Sequence, residues 1–81
     1  MNRVNVTSGN IKSIGYDAST RVLEVEFKPY KNADPNSAGR VYPYANVPPH
    51  EHANLMAADS IGSYFAANIK GRFEIVPQVV K

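Results

Sequence analysis

The run Arg21-Val22-Leu23-Glu24-Val25-Glu26-Phe27-Lys28 limits the fold more than any other part of this chain. Successive side chains of a strand point to opposite sides, so Leu23, Val25 and Phe27 share one face while Val22, Glu24, Glu26 and Lys28 share the other. A strand that is apolar on one face and charged on the other belongs to a sheet covered on one side only. The cover has to come from the same short chain. Eighty-one residues suffice for one core, and no composition break marks a second domain, so residues 1–81 read as a single domain. A chain of this size buries only about 60% of its unfolded surface. With no cysteine there is neither a disulfide nor a thiolate metal site to add to that margin. Extra stability then comes from packing or from self-association, and a homo-oligomer is among the expectations.

The neighbouring segments supply the rest of a sheet and its cover. Asn10 to Tyr16 alternates in part and is followed by the turn formers Asp17-Ala18-Ser19-Thr20, which predicts a first strand and a tight connection. Pro29 to Gly39 carries two prolines among Asn, Asp, Ser and Gly, so it reads as a loop or a hairpin tip. Arg40-Val41-Tyr42-Pro43-Tyr44 is extended again. Pro43 lacks a backbone donor, which puts this strand at a sheet edge or turns its donor side away from the ladder.

Pro48-Pro49 then marks a helix start, with Asn46 or Val47 near the cap and the helix running from about Pro49 to Ala58. Leu55 and Met56, with His52 and Ala53, are expected inward or along its flank. Asp59-Ser60 caps a second helix whose Ile61, Tyr64, Phe65 and Ile69 share one face with Asn68, and Gly71 is placed at its C′ position. The tail from Arg72 to Lys81 alternates weakly and reads as a last short strand or an extended packing segment. The resulting expectation is an α+β fold, a three-stranded antiparallel meander followed by two short helices.

The N-terminal residues Met1 to Val6 have no apolar run of the kind a signal peptide needs, and no later segment approaches the length of a membrane span. A cytoplasmic protein without a membrane partner is expected. Nine Lys and Arg against seven Asp and Glu give a net charge of +2, mild for a polyanion binder but compatible with nucleic acid or a nucleotide.

Several words of the sequence occur together in one order: Ser13-Ile14-Gly15-Tyr16-Asp17, Leu23-Glu24-Val25-Glu26-Phe27, Val41-Tyr42-Pro43-Tyr44 with Val47-Pro48, and Ala58-Asp59-Ser60-Ile61-Gly62-Ser63-Tyr64-Phe65 with Ile69-Lys70. In this the chain resembles the KTSC domain over roughly Val6 to Phe73. That family takes its name from the C-terminus of some lysyl-tRNA synthetases and includes free-standing small proteins of bacteria and phages. The attachment to a synthetase is what suggests RNA binding. Pro29 to Gly39 is longer than the short turn usual in the family, which fits a binding elaboration. Ala66 stands where Asn is frequent, so no role of that Asn carries over.

Particular residues are candidates for a site. Tyr42 and Tyr44 lie two apart and share a strand face, where rings could stack bases, unless helices cover that face and make both rings core. Lys28, Lys31 and Arg40 flank the long loop and would form a positive lip for phosphate, with Arg40 the best suited by its planar fork. Lys70 and Arg72 close the second helix, where they also complement its dipole. Asn68, an amide on an apolar stripe, needs either backbone partners or a ligand edge. Gly62 in the first turn of that helix implies close approach by another backbone, or exposed amides for an anion.

The pair His50 and His52 points in directions about 200° apart on a helix, so a shared metal is disfavoured. No nucleophile has an oriented base, and a cofactor is not called for. The leading expectation is a non-enzymatic binding module for nucleic acid, RNA above all, or for a nucleotide. Two alternatives stay open: a phage-type homo-oligomer that sequesters an anionic signalling nucleotide or metabolite, and an adaptor that docks a partner strand on the Tyr42 to Tyr44 edge.

Overall fold

A computed structural model describes residues 3–28 and 40–76 of the chain. Four strands, β1 (Val4–Asn5), β2 (Ile11–Asp17), β3 (Val22–Phe27) and β4 (Arg40–Tyr44), form one antiparallel sheet in the order β1-β2-β3-β4. Two helices follow, α1 (Pro49–Ala57) and α2 (Ile61–Asn68). The α+β meander is as expected; the strand number is not, because β1 precedes the three anticipated strands. Two residues are too few to show alternation. What holds β1 is its pairing with β2: Val4 lies opposite Ile14, and Val6 N–H donates to the Lys12 carbonyl at 3.1 Å. The long connection at 29–39, and Lys31 within it, lie outside the described residues.

The inner face of the sheet carries the core. Leu23 and Val25 are fully buried, opposite Tyr44 and Tyr42 on β4 and Tyr16 and Ile14 on β2. A register shift between Ile11 and Ser13 changes the simple alternation of β2. The extra residue turns both Ile11 and Ile14 inward, as a bulge does, and both are buried. Over this face pack Leu55 of α1, Phe65 of α2 and the flanking Val47 and Ile69. Ala53 is exposed, so α1 uses a narrower inward stripe than expected: Leu55 is buried, Met56 is half-buried and His52 stacks on Tyr16 with ring centroids 4.7 Å apart.

The outer face is polar. Arg3 crosses it to reach Glu24 at 2.8 Å and Glu26 at 3.8 Å, and Ser13 Oγ donates to Glu26 at 2.7 Å. Arg3 must pass over β2 to reach β3, which accounts for the burial of Ser13 and Gly15 beneath it.

Local chemistry sets the ends. Asp17 accepts from the N–H and hydroxyl of Ser19 and closes the β2–β3 turn. Arg21 ends that turn with φ 58°, and its carbonyl accepts from Val47 N–H at 2.9 Å. The Tyr16 hydroxyl donates to the Val47 carbonyl, so the β4–α1 connection is clamped to the hairpin end. Pro48 is the cap of α1, one residue past the expected pair, and Pro49 takes the first helical position. Ser60 caps α2 by accepting from Ser63 N–H at 3.3 Å. The Tyr64 hydroxyl donates to Glu51 and ties α2 to α1. Ile69 is the C-cap of α2, so Gly71, with φ 82°, lies one residue beyond the C′ position expected of it and turns the chain back. No helix is long and apolar enough to cross a membrane among the described residues.

Candidate ligand-binding cleft

The chain beyond α2 decides how the edge of β4 is used. Ala45 N–H donates to the Glu74 carbonyl and Val76 N–H to the Pro43 carbonyl, both at 2.7 Å, and Ile75 bridges Tyr44 antiparallel. The described part of the tail thus adds a short strap, Glu74–Val76, to β4. These bonds also explain Pro43. Its carbonyl faces the strap, so its missing N–H would have pointed away from β3, and the β3–β4 ladder loses no donor. The edge between Pro43 and Ala45 is occupied by the chain itself, contrary to the free border expected there.

Between the inner face of the sheet and α2 lies a cleft of about 800 Å³. Its floor is aromatic. Phe27 meets Tyr42 at 5.6 Å and Phe65 at 5.4 Å, and Phe65 meets Tyr44 at 5.6 Å, all edge-to-face. In that geometry the positive ring edges sit on negative faces, and the four rings hold one another. Tyr44 is 6% exposed and belongs to the core, whereas Tyr42 is half-buried. Burial pushes the Tyr44 phenol above its ordinary pKa, with Tyr42 beside it as a second cause, so it remains a neutral hydroxyl at physiological pH. The two tyrosines share a face as expected, but they do not form a matched stacking platform, because the Tyr44 ring is committed to Phe65.

The rim is cationic: Lys28, Arg40 and Lys70 line the cleft, and no acidic residue is among the described residues lining it. Lys28 follows the last residue of β3. Its N–H donates to the Asn10 carbonyl at 2.8 Å and its ammonium to the Ser8 carbonyl at 2.7 Å, so it leaves the outer face on which alternation had placed it. Arg40 lies opposite Phe27, with its guanidinium carbon 5.8 Å from that ring's centroid, within cation–π range. The pleat keeps the strand carboxylates out of the cleft: Glu24 and Glu26 project to the outer face and pair there with Arg3, while Lys28, Arg40 and Lys70 line the inner side.

Of the residues singled out from sequence, Lys28, Arg40, Tyr42, Tyr44 and Lys70 come together in the cleft. Arg72 is exposed and is not part of its lining, and Asn68 spends its amide on the Tyr64 carbonyl of its own helix at 3.2 Å. Sequence reasoning missed Gly9, Asn10 and Ile75, which also line it. A turn signal at Gly9-Asn10 is visible, yet only the fold places that turn beside α2. Gly62 is where the approach occurs: a Cβ there would meet Asn10 Oδ1 at 3.0 Å and Ser8 Oγ at 3.3 Å. The neighbours are side chains and not the backbone anticipated. Among the described residues no three of His, Cys, Asp or Glu converge where a metal ion could be held.

Comparison with known proteins places this architecture. A crystal structure of a KTSC domain protein from Yersinia pestis superposes with a TM-score of 0.77 at 36% identity, covering 96% of this chain and 97% of that one. An uncharacterized protein of Stutzerimonas stutzeri is 40% identical over 65 residues, 80% of this chain and 79% of its own length. A protein of Tsukamurella paurometabola is 32% identical over 71 residues, 88% of this chain and 92% of its own length. The KTSC domain model matches residues 7–73, from the segment after β1 to the turn after α2. With that match, and a sheet and helix pair shared with a solved relative, this chain belongs to the KTSC domain family.

Proposed function

We propose that this chain is a non-enzymatic binding module whose cleft takes a nucleotide unit, either free or within single-stranded nucleic acid, RNA above all. The observation that carries the reading is an aromatic floor ringed by Lys28, Arg40 and Lys70, with no carboxylate among the described lining residues. A ligand that suits this lining has a flat, polarisable part and a negative part. Nucleotides combine a base that stacks on aromatic rings with a phosphate that suits guanidinium and ammonium groups. Tyr42 offers the available ring and Arg40 the planar fork.

A partner strand docked on β4 is supported less well, since the strap Glu74–Val76 already takes the main-chain groups between Pro43 and Ala45. The test is fluorescence anisotropy with a labelled single-stranded RNA at low and high salt. Binding is expected to weaken as salt rises, and Tyr42→Ala is expected to lower affinity about tenfold, the equivalent of about 1.4 kcal/mol, which lies within the range for one lost base stack. No binding at low salt to any oligonucleotide or nucleotide would end this reading.

A further inference from the structure

We infer that the cleft is a groove along which a single strand of nucleic acid runs, with a phosphate gripped at each end, and not a pocket that holds the phosphates of one mononucleotide together. The inference rests on the nucleotide-binding reading above and adds the direction in which the ligand lies.

Its basis is where the cations stand along α2. Gly62, in the first turn of α2, lies against Ser8 and Asn10, and the Lys28 ammonium is bonded to Ser8. Lys28 therefore belongs to the N-terminal end of the helix. Lys70 follows α2 at its other end, two residues past Asn68, and its N–H donates to the Phe65 carbonyl five residues back, a wider turn than the α-helical one. From Gly62 to Asn68, the last residue of α2, the rise is about 9 Å at 1.5 Å per residue, and Lys70 lies beyond it. Phe65 lies between these ends, in contact with Phe27 on one side and Tyr44 on the other. Arg40, paired with Phe27 next to Lys28, joins the first end, so the order along the groove is a two-cation end, the aromatic floor and the Lys70 ammonium.

A mononucleotide carries its phosphates on one side of the nucleoside and would use one end of such a groove. A strand carries a phosphate on both sides of each nucleoside and would use both. Lysine stems are long and flexible, so the two ammonium groups can lean inward over the floor to meet them. A di- or triphosphate alone would engage Lys28 and Arg40 at one end and leave Lys70 unused.

Isothermal titration with adenosine 3′,5′-bisphosphate, adenosine 5′-diphosphate and hexa-adenylate tests this. The first two carry the same number of phosphates and differ in whether these flank the nucleoside. The bisphosphate is expected to bind about tenfold more tightly than the diphosphate, and both Lys28→Ala and Lys70→Glu are expected to remove that advantage. Hexa-adenylate is expected to show a salt slope of about −2, since each phosphate neutralised on a single strand contributes about −0.7 and three cations line the cleft. Lys28→Ala is expected to flatten that slope by about 0.7 and Lys70→Glu, which reverses a charge, by at least as much, while Lys12→Ala, exposed on β2 away from the cleft, leaves it unchanged. Circular dichroism confirms that each variant is folded, and Lys70, exposed past the helix end, is the substitution that leaves the core untouched.

A diphosphate that binds as well as the bisphosphate, with the Lys70→Glu slope equal to wild type, would overturn the inference and leave the nucleotide-binding reading standing. Failure of all three ligands to bind would remove both.

Discussion

Replacing Phe65 by leucine tests the aromatic floor on which the cleft is built. Phe65 is 2% exposed and meets Phe27 at 5.4 Å and Tyr44 at 5.6 Å, both edge-to-face. Leucine keeps the site apolar and nearly filled, so the transfer and cavity contributions stay small. What it removes is two ring–ring contacts, each worth about 0.5–1.5 kcal/mol beyond its buried area. The expected loss is about 2 kcal/mol. For a domain of this size each kcal/mol moves Tm by about 4–8 °C, so Tm should fall by about 12 °C. Urea unfolding checks this independently, with a midpoint lowered at unchanged m. A double-mutant cycle with Tyr44→Leu isolates one contact and should return a coupling of about 1 kcal/mol. A single-variant loss below about 0.5 kcal/mol, within what a bland surface change produces, would refute the argument that these rings hold one another.

Ser60→Ala should cost about 1 kcal/mol and Ser60→Gly only a few tenths, because the hydroxyl caps Ser63 N–H; thermal unfolding separates the two. Arg21→Gly should stabilise by about 0.5 kcal/mol, raising Tm by about 3 °C, since φ 58° strains a residue with a Cβ while the carbonyl bond to Val47 stays in place. His52 is held below the ordinary histidine pKa by burial against Tyr16. A folded-state value below the unfolded one means that the unfolded chain takes up the proton first. Stability present above the ordinary histidine value of about 6.5 is therefore lost as pH falls below it toward the depressed value. Tm measured across that window should decline more in the wild type than in His52→Gln, and a ring-proton NMR titration of His52 should show the lowered midpoint directly.

Local periodicity made β3 and α2 readable. Leu23, Val25 and Phe27 repeat every second residue, and Ile61, Tyr64, Phe65 and Ile69 follow one helical face, so neighbours along the chain suffice to assign them. The three cations that ring the cleft could be nominated from sequence because each flanks the end of an element. Their meeting could not, since Lys28, Arg40 and Lys70 are brought together by two strand pairings and a helix crossing. β1 escaped notice because a two-residue strand has no period, and the bulge in β2 because only the partner strand reveals an extra residue.

From its amino acids alone the chain determined a one-sided sheet, a pair of capped helices and membership in a recognisable family, since these rest on alternation, turn chemistry and ordered short words. Tertiary structure alone decided which tyrosine is core, that the tail straps the edge of β4 at Pro43, and that Glu24 and Glu26 lie on the face opposite the three cations of the cleft. These depend on which surfaces meet across long sequence separations, and burial and charge are properties of the assembled surface that no single stretch of chain contains.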